Sequence, residues 1–165
     1  MKSKATKIIE TRDRLSNDIT KYWNIIHVEN VVNRNYKRHY DLKQVFATVQ
    51  ELAEQRVMAK LKALCLNMGF KRFSDLPADC IQISIFRLSE LQEQKVRLSK
   101  VKTISPKLKA AKGKKNLNKT EALTSDWIKA RIKELDLQII EIKQKIADFN
   151  ENNELEEDAP MALVA

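Results

Sequence analysis

The chain is short of the residues that interrupt helices, with 2 glycines and 3 prolines among 165 residues. A fold of many short strands needs frequent tight turns, and those turns draw on glycine for positive φ and on proline for a preset φ. Their scarcity argues against a β-rich fold. It also excludes a glycine-rich phosphate cradle and a dinucleotide fingerprint. Cysteine is limited to Cys65 and Cys80, both among apolar neighbours such as Leu64, Leu66 and Ile81, so both are expected as buried reduced thiols and not as a disulfide framework. No run approaches the ~18 apolar residues that span a bilayer, and the segment Met1–Glu10 lacks the apolar core of a secretory signal. The expected setting is soluble, cytoplasmic or otherwise intracellular, without a membrane partner.

Catalytic equipment is equally sparse. His27 and His39 stand in no triad-like or zinc-helix context, and no ligand spacing joins them to the two cysteines. The Glu-x-x-His pair of a carboxylate-bridged di-iron bundle is absent. Glu90 and Glu93 lie at helical spacing and read as solvated residues beside Lys95 and Arg97. The sequence therefore implies no enzyme activity, metal, cofactor or small-molecule substrate.

What is present is helical periodicity. Ile128, Ile132, Leu135, Ile139, Ile142, Ile146 and Phe149 recur at alternating spacings of four and three, a heptad seam, with Leu137 and Ile140 widening the apolar face. Asn118 followed by Glu121 reads as a capping box at its start. A similar stripe opens the chain at Ile8, Arg12, Leu15, Ile19, Tyr22 and Ile26. A third helix starts behind Asp41 as cap and ends at Gly69, a left-handed stop signal. A fourth runs from about Ile83 until Pro106 disfavours helical geometry at Ser105, while the alternation of Ile81, Ile83 and Ile85 is too short to define a strand.

The expected architecture is all-α: an elongated antiparallel bundle of about four helices with coiled-coil-like seams. One domain covers 1–150, with helices at 3–28, 41–68, 83–104 and 118–150 and a basic loop at 105–117. Residues 151–165 read as an acidic, flexible tail whose final apolar residues fray. Val28–Tyr40 reads as a connection, and Trp23 and Trp127 as core or core edge.

Charge is segregated along this frame. Between Ser99 and Thr120 lie Lys100, Lys102, Lys107, Lys109, Lys112, Lys114, Lys115 and Lys119 with no acidic residue, which nearly accounts for the net charge of +9. From Asp148 to Asp158 the sign reverses, with six acidic residues and no basic one. The two blocks bracket a helix of about thirty residues, roughly 45 Å long, so they meet more readily between copies than within one. The lysine segment suits either sequence-independent phosphate contacts or a solvated hairpin tip. A second cluster, Arg34, Lys37 and Arg38, interleaves with Tyr36, His39 and Tyr40. It is expected to turn its cations to water while Tyr36 and Tyr40 pack on the bundle one turn apart; the alternative is that Arg34, Lys37 and Arg38 contact phosphates while the aromatics stack on unpaired bases. Two functions follow. The first is a non-enzymatic assembly or scaffold protein acting on itself or another helical protein through its apolar seams. The second is a sequence-nonspecific nucleic-acid-binding accessory protein.

Overall fold

The computed structural model describes residues 3–104 and 118–153. It is an all-α bundle, with helices α1 (Lys4–Glu29), α2 (Leu42–Asn67), α3 (Ile81–Ser99) and α4 (Ser125–Asn152) among the described residues. Two three-residue strands, β1 (Val31–Asn33) and β2 (Lys119–Glu121), pair antiparallel with Val32 opposite Thr120. Ion pairs cross-link neighbouring helices: Arg56 and Glu54 on α2 pair with Glu90 and Arg87 on α3, and Lys95 on α3 pairs with Asp136 on α4.

Local signals set most helix ends. The Asp41 carboxylate accepts from the backbone N–H of Lys43 and Gln44 at the start of α2. At its end Gly69 takes φ +75°, while Gly69 N–H donates to Leu66 O and Phe70 N–H to Cys65 O. This double closure satisfies carbonyls that the helix leaves open, and only glycine takes that backbone without strain. Two expected boundaries are corrected. The last helix begins behind Thr124, whose hydroxyl accepts from Trp127 N–H, and not at Asn118. Lys119–Glu121 is diverted because its backbone pairs with Val31–Asn33, where β-branched valines favour extended chain. The third helix spans Ile81–Ser99 and not 83–104, because after Lys100 the chain turns inward and buries Val101.

The core gathers where α1 ends and α2 begins. Trp23 is fully buried and meets Phe46 edge-on at 6.0 Å, and Phe46 meets Trp127 edge-on at 5.5 Å. Around them pack Ile19, Ile26, Leu42, Val49, Leu98, Leu123, Ile128 and Leu135. Each such aliphatic side chain contributes about 1.5–3 kcal/mol when fully buried, so this cluster is the anchor of the fold.

Toward the other end the contact between α2 and α3 is ionic. Arg56 reaches both carboxylate oxygens of Glu90, one of Glu93, and the Ser16 hydroxyl, and Lys60 adds a second cation to Glu90. Glu90 is buried and Glu93 half-buried, which corrects the expectation of solvated residues beside Lys95 and Arg97. Only Arg97 joins this cluster; Lys95 turns to Asp136. Cys65 is buried, which pushes its thiol pKa up, whereas Cys80 is only half-buried ahead of α3; both thiols are free.

Candidate functional site at the basic end

Asn30 follows the last residue of α1 and is fully buried. Its side-chain amide donates to Lys102 O at 2.8 Å and Leu123 O at 3.0 Å, while its side-chain oxygen accepts from Leu123 N–H at 2.6 Å. Its backbone carbonyl accepts from Ala122 N–H and from Arg38. One side chain thus ties the end of α1 to the segment leaving α3 and to the segment entering α4. A buried amide with every group matched is stabilising and specific, since an unmatched one costs about 1–3 kcal/mol per group.

This junction brings together two basic segments that lie far apart in sequence. The β1–β2 pairing sets Asn33 opposite Lys119, and Arg34 N–H donates to Asn118 O at 2.7 Å. Lys100 and Lys102 lie in the segment leaving α3, which Asn30 holds at Lys102, and both are exposed, as are Arg34, Lys37 and Lys119. Arg38 departs from its expected role. Its guanidinium is half-buried and donates to the carbonyls of Glu29, Asn30 and Thr120, so it braces the junction instead of facing solvent. Lys107, Lys109, Lys112, Lys114 and Lys115 lie outside the described residues.

The acids of the same segments are committed elsewhere. Asp41 caps α2 and Glu121 accepts from Ile104 N–H. Glu29 is buried and accepts from the Tyr36 hydroxyl, His39 N–H and the His39 ring. Burial alone would raise the pKa of Glu29, but the hydrogen bonds from His39 and Tyr36 outweigh it and hold the carboxyl below its ordinary value. Burial and then the Glu29 contacts push the Tyr36 phenol up, with a smaller contribution from neighbouring Tyr40. His27, beside Trp23, is lowered by burial and then by the cations Arg97 and Lys100. The net result is a surface whose uncommitted charge is positive.

A polar recess of about 480 Å³ opens here, lined by Asn33, Arg34, Asn35 and Asn118. Three carboxamides and a guanidinium suit the oxygens of a phosphate, with no base information required. A separate cleft of about 500 Å³ between the far halves of α1 and α2 is walled by Ile8, Leu15, Met58 and Ala59, and there the cations Arg14 and Lys62 share the lining with the carboxylates Glu51 and Glu54. Among the described residues, no three His, Cys, Asp or Glu side chains are grouped to hold a metal, and no helix is long and apolar enough to cross a membrane.

The expected assembly seam is divided. Ile128, Leu135 and Ile139 are buried inside the chain, Ile132, Ile142 and Ile146 are half-buried, and Phe149 is exposed. Leu137 and Ile140, 62% and 64% exposed, do not widen the internal face but point away from it. Sequence reasoning missed Asn30 and Glu29, which carry no signal except their place behind an amphipathic helix. No protein-family model, no curated protein and no solved structure matches the chain.

Proposed function

We propose that the protein is a non-enzymatic nucleic-acid-binding module that holds the phosphate backbone at its basic end without reading sequence. The observation that carries this reading is the junction of the two basic segments, Arg34 beside Lys119, with Lys37 on the same loop and Lys100 and Lys102 on the segment leaving α3. Separated, each cluster is an ordinary solvated run; together they present five uncommitted cations and a recess of polar donors. Each cation that neutralises a phosphate releases a condensed counterion, so affinity must fall steeply with salt. The test is fluorescence anisotropy with a labelled oligonucleotide between about 50 mM and 200 mM salt. Binding that weakens across this range, and weakens further in the triple variant Arg34→Gln, Lys37→Gln, Lys119→Gln, supports the proposal. No binding at the lower salt rejects it.

A second reading keeps the assembly function and rests on Leu137 and Ile140, adjacent on the outer face of α4. Its surface is no longer the heptad seam, half of which is occupied within the chain. The outer face of a helix of 28 residues is about 42 Å by 10 Å, roughly 800 Å² over two copies, below the roughly 1,000 Å² expected of a stable interface. Association through α4 is therefore weak and concentration-dependent. A strictly monomeric mass by light scattering up to high concentration removes this reading. The two functions reinforce each other where both hold, since paired copies turn weak phosphate contacts into avidity.

A further inference from the structure

Beyond its cations, the basic end carries aromatic rings that the bundle leaves uncovered. Tyr36 and Tyr40 were expected to sit one helical turn apart and pack on the bundle. Instead Arg34–Tyr40 is not helical, and the two rings are 42% and 46% exposed. The side chain of His39, between them in sequence, is 69% exposed.

Tyr36 is also held in place. Its hydroxyl lies 3.1 Å from the Glu29 carboxylate and 3.0 Å from His39 Nδ1, and the His39 ring meets it edge-on at 5.6 Å. Glu29 is itself buried at the end of α1, so the phenol is tethered to a helix end packed in the fold. These contacts fix the ring while leaving it exposed, and a preorganised ring loses little freedom when a flat ligand settles on it.

We infer that the partner of this end is a single-stranded nucleic acid, whose unpaired bases stack on Tyr40 and Tyr36 while Arg34, Lys37 and Lys119 hold its phosphates. The inference rests on the phosphate-binding proposal above and narrows its ligand. In a duplex both faces of every internal base are covered by neighbours, so exposed tyrosines find a platform only at the ends; in a single strand each base offers a free face. Every base has such a face, so stacking adds affinity without sequence preference. The shared chemistry is that of an unpaired base on a charged backbone, and ribose and deoxyribose strands both supply it.

The experiment compares the full chain and two variants, Tyr40→Ala and Tyr40→Phe, by anisotropy at one low salt concentration. The probes are unstructured oligo-dT, oligo-U and a DNA duplex of equal length. Tyr40 is exposed and donates no hydrogen bond to the junction, so both variants should fold, which thermal melting verifies. Preference for the single strands over the duplex is expected, with Tyr40→Ala lowering single-strand affinity about tenfold, Tyr40→Phe restoring it, and duplex affinity unchanged. Equal affinity for duplex and single strand, or an equal loss on both from Tyr40→Ala, overturns the inference and leaves the phosphate reading standing. Absence of binding to all three probes overturns the phosphate reading itself.

Discussion

The buried Asn30 amide meets three backbone groups, two of them, on Leu123, also buried. Asn30→Ala strands the Lys102 and Leu123 carbonyls and the Leu123 N–H together, and should destabilise the fold by about 3–5 kcal/mol in urea unfolding. Loss of the junction also separates the two basic segments, so salt-dependent binding should weaken although no cation has been removed. Two neighbouring groups set a pH dependence. The folded state lowers the pKa of His27, so its unfolded form binds a proton first; that contribution is intact above the ordinary value near 6.5 and declines as pH falls through the lowered one. Glu29 is also lowered, so its contribution holds above the ordinary value near 4.5 and disappears in stronger acid. Melting temperature should therefore fall in two stages on acidification, and His27→Gln should flatten the first stage only. A variant that still loses stability just below neutrality assigns that stage to another group.

On α4, positions two residues apart have opposite fates. Ile139 is buried against the chain and Leu137 faces outward. Ile139→Asp places an unpaired charge in that interface and should cost several kcal/mol, whereas Leu137→Asp should leave unfolding within about 0.5 kcal/mol of the parent and abolish any concentration-dependent association. Equal melting of the two variants would contradict the packing of this helix. Periodicity made α1, α2 and α4 legible because a stripe at spacings of three and four is a local property, as are the Asp41 cap and the Gly69 stop. What covers a stripe is not local. α3 buries Glu90 and Gln94 together with Leu98, a pattern that reads as exposed until Arg56 and Lys60 arrive from α2 to neutralise Glu90. The strand at Lys119–Glu121 was hidden for the same reason, since its partner lies almost ninety residues upstream. Of the candidate site, the cations were visible as composition, but their meeting depends on the long-range hydrogen bonds of Asn30, and Arg38 changed from ligand contact to brace once its three carbonyl partners were in place.

At the scale of the whole molecule, the positive charge left uncommitted by the junction is concentrated at one end of the bundle, and that concentration can be counted in solution. For single strands the logarithm of affinity falls with the logarithm of salt at about 0.7 per neutralised phosphate. Five exposed cations at the described site, Arg34, Lys37, Lys100, Lys102 and Lys119, correspond to a slope of about −3.5 when all are engaged. Replacing Arg34, Lys37 and Lys119 by glutamine should make the slope shallower by about 2, whereas Tyr40→Ala should lower affinity at every salt concentration and leave the slope unchanged. The two perturbations separate because stacking releases no counterions. A parent slope steeper than about −3.5 assigns the excess to cations beyond these five. A parent slope near zero means that binding, where present, is not electrostatic, and the basic end is then only a solvated cap on a helical bundle.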